Sequence, residues 1–389
     1  MAQFDFEKDR FPLKVDQIYD NHLDLEAFSL MMKNPSYCYK FYWLEAIVDL
    51  ISEGVSETTF NDIIDEMIVN AWYSVLEFHI HLSGMMDGQV RDGLERAVLL
   101  LQELSGLPGN ASKVEIKNQI KEHETELKSY KEQLTNMVPY RALAGFFDKC
   151  EEHAEWESTR RMVSYIERVN RITLLPYILG MGSRLKKEVK FNEAWMRMIQ
   201  DHTVSILGWI QYEKMKWLQN NNPEVPGLVY KLTPMDEKMR KLGHVRKLWD
   251  AVLDLNPIQD VFKGTNIDRE HYDVDHFIPW SFVMNDELWN LMPMDSSLNS
   301  AKSNKLPKWN PFFEQFSVNQ YVLYGMIHDE QLPGIRKLYE SCYRDNLHSI
   351  WADQELYRKG NSREQFCNIL QKNMQPVYDS ARRQGYQMW

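Results

Sequence analysis

Apolar residues recur at helical spacing over most of the chain. Between Tyr37 and Gly54 they fall at Phe41, Trp43, Leu44, Ile47, Val48 and Ile51, which predicts a helix closed by the glycine. Thr58 or Thr59 opens a second helix, with Phe60, Ile63, Ile64, Met67, Ile68, Ala71 and Trp72 on its apolar face. A third runs from about Gln89 to Leu104, and the stretch GLPGN breaks it. Ser112 and Glu115 then form a capping-box pattern. The segment they open, as far as Met137, has a thin apolar stripe and many charges. That predicts a solvent-facing helix or a short protruding hairpin arm. A run with Arg160, Arg161, Arg168 and Arg171 is helical, and a long helix spans about Glu193–Leu218. QNNNPEVPG, at 219–227, reads as a linker. Thr233 and Pro234, with acids at Asp236 and Glu237, open a helix to about Leu255. Beyond Pro307 four further helices are expected, at Phe312–Ile327, Gly334–Tyr343, Asp345–Leu356 and Ser362–Leu370. The pattern is that of a mostly α-helical protein in three parts, 1–138, 139–226 and 227–389.

The helical period lapses in the stretch before Pro307. Val274 precedes the pair Asp275-His276, Phe277 and Ile278 follow it, and Pro279 stops a strand there. Trp289, Leu291 and Met292 predict a second short strand. Asp295–Ser297 offer N-cap oxygens, and Leu298–Lys305 can form a helix before Pro307. The order is strand, loop, strand, helix. A strand turns Asp275 and His276 to opposite faces. The carboxylate suits a divalent ion, and Asn299 on the helix can return an amide oxygen to it. An imidazole is suited to accept a proton near neutral pH. With Lys302 and Lys305 nearby, these groups fit attack by water on a phosphodiester.

This stretch resembles the HNH, or ββα-metal, nuclease module, and within that family the HNH domain of the RNA-guided nucleases of type II CRISPR systems. The pattern D-x-D-H-x-x-P-x-S-F, then Asn290, then N-x-x-K-S, runs from Asp273 to Ser303. The resemblance implies a ββα core at about 260–308. It makes Asp275 and Asn299 metal ligands, His276 the general base, and Asn290 the residue that steadies the loop and orients His276. Many relatives carry His at the last position, so the chain is an H-N-N variant. Mg²⁺ is the implied ion, with Mn²⁺ or another divalent ion also compatible. Lys302 is placed near a phosphate, and Asp273 is an additional ligand or a supporting group. The implied products carry 5′-phosphate and 3′-hydroxyl ends. DNA is the implied substrate, and similar modules with helical extensions look like effectors of bacterial anti-phage or mobile-element systems. The competing readings are an inactive HNH scaffold that serves as an interaction protein, and an RNA-directed nuclease or toxin.

Charge and composition narrow this further. The net charge is −11, which counts against tight non-specific DNA binding by the chain as a whole and confines phosphate contact to local basic faces. The run Lys238–Lys247 directly precedes the module, so Lys241, Arg246 and Lys247 are the first candidates for DNA contact. The Arg160 region is the second. Four cysteines lie far apart with no C-x-x-C pair, which argues for reduced thiols in a cytoplasm and against a zinc ribbon. His79-x-His81 and Cys150 with His153 are weak metal patterns. At those spacings a helical core and an acidic helix face are the better readings. No apolar run reaches the length of a membrane span. A partner protein in a defence system is compatible with the charged helical N-terminal part.

Overall fold

A computed structural model of the chain describes residues 23–33, 35, 37–83, 92–149, 158–232 and 240–389. It divides into two compact units. One is Met1–Pro223 with Lys231–Thr233, and the other is Glu224–Tyr230 with Pro234–Trp389. Residues 1–138 and 139–223 therefore belong to one unit.

The first unit contains α1 (Leu25–Ser29), α2 (Tyr39–Ser52), β1 (Glu57–Thr59), α3 (Phe60–Phe78), α4 (Gly93–Ser105), α5 (Lys113–Glu122), α6 (Glu124–Leu134), α7 (Val138–Arg141), α8 (Thr159–Ile172), β2 (Tyr177–Leu179), β3 (Glu188–Phe191), α9 (Glu193–Asp201) and α10 (Thr203–Asn221). Helix α2 is buried on nearly every side and packs against α3, α9 and α10, so its continuous apolar run is that of a central helix. Thr59 starts α3 through a capping box with Asp62, an arrangement worth about 1 kcal/mol. The start expected at Gln89 and the Cys150–His153 pattern lie outside the described residues. His79 ends α3 in the left-handed conformation, and His81 pairs with Glu95 at 2.7 Å, so neither sits in a metal pair.

Three features depart from the sequence reading. The charged arm does not protrude. It is two helices, α5 and α6, and Lys131 is fully buried between Asp65 of α3 and Glu124 at 2.6 and 2.8 Å. Lys113 and Lys117 both reach Glu66 of α3, so the charges dock the arm rather than solvate it. Burial pushes the Asp65 carboxyl up to about 6 against the pull of Lys131. The long helix expected at Glu193–Leu218 breaks at His202, which leaves helical geometry at φ −120°. A three-stranded antiparallel sheet, ordered β1-β3-β2, was not anticipated. Its strands have three or four residues, too few for a period-two pattern to register.

The second unit contains α11 (Gly243–Leu255), β4 (Tyr272–His276), α12 (Trp280–Val283), β5 (Leu291–Asp295), α13 (Ser296–Lys302), α14 (Trp309–Ile327), α15 (Pro333–Ser341), α16 (Tyr343–Asn346) and α17 (Arg363–Arg383). Strands β4 and β5 pair antiparallel, with Asp275 opposite Met292 and His276 opposite Leu291, and α13 packs on both. The order strand, loop, strand, helix is the one expected. Residues 233–239, where that helix was expected to open, lie outside the described residues, and α11 begins at Gly243. The helix expected over Asp345–Leu356 is instead α16 followed by a short π-helix at Ala352–Leu356. Helix α17 runs beyond Leu370 and past Pro376, starting from a capping box at Ser362.

The helices around the small sheet hold it by side-chain hydrogen bonds as well as by apolar packing. Phe277 is fully buried and meets the ring of Phe316 at 4.7 Å, with Trp309 and Phe313 also in contact. Gln320 of α14 is buried and donates to the carbonyl of Leu291 at 2.7 Å. The buried Asp260 carboxylate accepts from the amides of Phe262, Lys263 and Asp295. That ties the loop before β4 to the end of β5 without cysteines.

Candidate active site

Strand β4 sorts its side chains by alternation. Tyr272, Val274 and His276 are buried, while Asp273 and Asp275 lie half-buried on the other face. Helix α13 lies over that second face. It starts at Asp295, whose carboxylate accepts from the amides of Ser297 and Leu298. An ion pair with Lys263, followed by Ser297, holds the Asp295 carboxyl far below its ordinary range, so this cap stays charged. The spacing of three between Asn299 and Lys302 turns both toward β4. Asn299 Nδ2 donates to Asp273 Oδ2 at 3.2 Å, and Lys302 Nζ donates to Asp275 Oδ2 at 2.7 Å.

Lys302 is only 1% exposed, and its ammonium also reaches the carbonyl of His276 at 2.9 Å. The sequence reading placed this lysine against a substrate phosphate. The fold instead buries it as the counter-charge of Asp275, because a buried ammonium needs a carboxylate beside it. Lys305 is half-buried just beyond α13, its backbone amide bonded to the Lys302 carbonyl.

On the buried face, the His276 ring points away from the carboxylates. Its Nε2 lies 3.1 Å from the carbonyl of Asn285 and 3.1 Å from Asp286 Oδ1. Its Nδ1 is buried with no hydrogen-bond partner among the described residues. Asp286 is buried, and its Oδ2 accepts from the Lys241 amide at 2.6 Å. Burial pushes the Asp286 carboxyl up, but the bonds from His276 and the Lys241 amide, with Arg240 nearby, outweigh it and hold the group below the ordinary carboxylate range. Nothing in the sequence pattern singled out Asp286. A ten-residue separation across a loop carries no periodic signal, and only the closed loop brings the pair together.

Asn290 does not touch the His276 ring. It is fully buried, its Oδ1 accepts from the Ile278 amide and its Nδ2 donates to the Ile278 carbonyl, both at 2.8 Å. It closes the loop that follows His276 as a strand partner would. Asn290→Ala is expected to leave both Ile278 groups unpaired in the core, at about 1–3 kcal/mol each. A urea titration should show a stability loss of roughly 2–6 kcal/mol, and a loss below about 1 kcal/mol would contradict this role.

The basic residues of α11 and the segment before it divide by environment. Lys241 Nζ pairs with Asp345 at 2.8 Å. The Arg246 guanidinium lies 4.8 Å from the Tyr272 ring centroid and donates to the Tyr272 carbonyl. Both residues expected on DNA thus also secure the fold around β4, whereas Lys247 is an exposed position of α11.

The donor chemistry on the second face of β4 fits a hard divalent cation. It carries two carboxylates, Asp273 and Asp275; Asn299 turns its NH₂ group to Asp273 and Lys302 holds one oxygen of Asp275, so a cation there would take the amide oxygen only with the amide turned over. Among the described residues no group of three His, Cys, Asp or Glu side chains gathers as a metal site.

Residues 260–308 match the family model described as HNH endonuclease. This region, with two strands, a helix and the Asp-His pair at the end of β4, is similar to HNH endonuclease modules, which supports nuclease activity in general terms. Neither the curated proteins nor the solved structures include a match to the chain. No helix among the described residues is long and apolar enough to cross a membrane.

Proposed function

We propose that the protein is a metal-dependent endonuclease that hydrolyses DNA phosphodiester bonds at the end of β4, where Asp275 and His276 stand side by side, as an H-N-N form of the module. One observation carries this reading. Asp273 and Asp275 present carboxylates on one face of β4, where Asn299 and Lys302 meet them, and at the strand end the next residue carries a buried ring nitrogen, His276 Nδ1, with no hydrogen-bond partner among the described residues. An unpaired buried polar atom is costly, by about 1–3 kcal/mol, unless it serves something that arrives with substrate.

In the proposed reaction His276 Nδ1 takes a proton from water. The water oxygen forms a bond to phosphorus, the bond from phosphorus to the 3′ oxygen breaks, and the leaving oxygen takes a proton from solvent. Asp275 and Asn299 would hold the cation, with Asp273 beside them. When bound, the cation supplies positive charge to the phosphoryl and leaving oxygens. Lys302 holds Asp275 at the strand end through its two bonds. Asn290 fixes the loop that carries the Nε2 partners of His276. An effector role in anti-phage defence, with a partner protein, rests on the resemblance of the motif alone.

The test incubates pure protein with supercoiled plasmid, single-stranded DNA and RNA, with Mg²⁺ or with chelator. Cleavage of DNA that chelator abolishes and His276→Ala suppresses is the expected result. Cleavage of RNA alone would make it an RNA nuclease, and no cleavage of any substrate would make the module an inactive scaffold.

Two further predictions concern ligand and substrate. Asn299→Ala is expected to raise the Mg²⁺ concentration for half-maximal rate about tenfold or more, a change of ~1.4 kcal/mol, with partial recovery in excess Mn²⁺. An unchanged Mg²⁺ dependence would transfer the ligand role to Asp273. On α11, Lys247→Glu is expected to weaken binding to unrelated DNA sequences alike. It should reduce the slope of log affinity against log salt by about 1, as loss of one phosphate contact requires. An unchanged slope would leave Lys247 as solvated surface.

A further inference from the structure

We propose that Asp286 is a positioning residue for His276, whose carboxylate holds the imidazole with its proton on Nε2 and so keeps Nδ1 as the free acceptor. The proposal rests on the nuclease reading for its consequence, but not for its geometry.

Three observations carry it. The first is distance and burial. His276 Nε2 and Asp286 Oδ1 are 3.1 Å apart, with side chains 1% and 5% exposed, so the pair is shielded from solvent and its attraction is little screened. The second is the anchoring of Asp286. Its Oδ2 is occupied by the Lys241 amide at 2.6 Å, and its own carbonyl accepts from Asn346 Nδ2 at 2.8 Å. The next residue, Glu287, is also buried and accepts from the amides of His348 and Ser349. The loop bearing Asp286 is thereby pinned from the helices around the sheet, and only one oxygen of the carboxylate is left to face the ring. The third is the state of the other ring nitrogen. Nδ1 has no partner among the described residues, so nothing opposes Nε2–H from that side.

A neutral imidazole carries one N–H, and the acceptor beside one nitrogen decides which nitrogen holds it. Nε2 makes its hydrogen bond to the Asn285 carbonyl, and Asp286 Oδ1, a buried oxygen with no hydrogen-bond partner among the described residues, lies 3.1 Å from the same nitrogen. The carbonyl alone would favour the same tautomer, but it belongs to an exposed residue next to Met284, which has a positive φ of 55°. The carboxylate adds negative charge on the Nε2 side, which favours the proton there, and its buried oxygen bounds the ring beside the carbonyl. It also stabilises the positive imidazole that forms once Nδ1 has taken a proton.

Asp286→Asn separates this role from bulk. The Lys241 amide is a fixed donor, so the asparagine oxygen turns toward it and the NH₂ group faces His276 Nε2. A donor then opposes Nε2–H. The first measurement reads the ring of the wild-type protein. In ¹⁵N-histidine-labelled protein without metal, at a pH where the ring is neutral, the His276 signals are assigned by their loss in His276→Ala. The two nitrogen types resonate far apart, and Nε2–H is expected. The second measurement repeats this on Asp286→Asn and compares steady-state cleavage. A shift toward Nδ1–H is expected, with kcat lowered roughly 10–100-fold, the usual effect of removing such an orienting partner, KM little changed, and a thermal midpoint near wild type. A wild-type ring found as Nδ1–H overturns the proposal. So does an Asp286→Asn protein that keeps Nε2–H, whether it cuts normally or poorly. If the wild type cuts nothing, the nuclease reading fails by itself, and the tautomer measurement still decides the role of Asp286.

Discussion

His276→Ala is expected to lower the rate of cleavage by roughly 10²–10⁴, the usual contribution of a general base. The substitution is not silent for folding. His276 is buried, and its removal takes the hydrogen-bond donor from the Asn285 carbonyl and the ring from beside the buried Asp286, which keeps the Lys241 amide. A stability loss of about 1–3 kcal/mol follows from that unpaired oxygen. The rate should therefore be measured well below the melting transition and normalised to folded protein. A folded variant that cuts within a few-fold of wild type, free of contaminating nuclease, would remove His276 from the mechanism. Loss of rate that tracks loss of folded protein would assign the residue to the core alone.

Asp275→Ala should be the more damaging change for the fold and equally so for activity. The side chain is both a proposed cation ligand and the partner of Lys302, whose ammonium is buried. Removing one member of a buried pair leaves the other charge uncompensated, a cost of roughly 3–5 kcal/mol. The His276 carbonyl, also bonded to Lys302, recovers part of it, so a loss of roughly 3 kcal/mol is expected. The double variant Asp275→Ala with Lys302→Met removes the stranded charge and should regain most of that stability while staying inactive. Denaturant titration of wild type, both single variants and the double variant gives the coupling directly. If the two stability losses simply add, the pair does not act as a unit. If Asp275→Ala cuts normally in Mg²⁺, Asp275 is not a ligand.

These two residues also show how far the sequence carries. Adjacent positions in a strand face opposite ways, so the separation of Asp275 from His276 followed from the short strand alone. The helix that carries Asn299 was equally legible, because its anchor is local: Asp295 caps α13 through amides two and three residues on, whereas the contact of Asn299 with Asp273, and of Lys302 with Asp275, was not. Lys302 has a partner that the sequence did not show, for a physical reason. A lysine beside a phosphodiester site reads as a phosphate contact, but burial depends on what covers α13, and the lysine sits instead on Asp275. Lys241 and Arg246 were read as a basic surface run, and Asp345 and the Tyr272 ring, far away in sequence, engage both.

What the sequence by itself determined were the features set by neighbours within about a turn or along one strand: the helices of the first unit from α2 to α4, the capping boxes at Thr59 and Ser112, and the strand–loop–strand–helix order around Asp275-His276. Short-range rules govern these, since a cap or an apolar stripe is satisfied by residues three or four positions away. The tertiary structure decided the rest. It broke the long helix at His202, docked α5 and α6 by burying Lys131, and built a sheet from strands too short to carry a pattern. It also placed Asp286 against His276 and Asn290 against Ile278. Each of these depends on groups distant in the chain that must satisfy one another once water is excluded, and the pairing of buried charges and amides is settled only when the loops close.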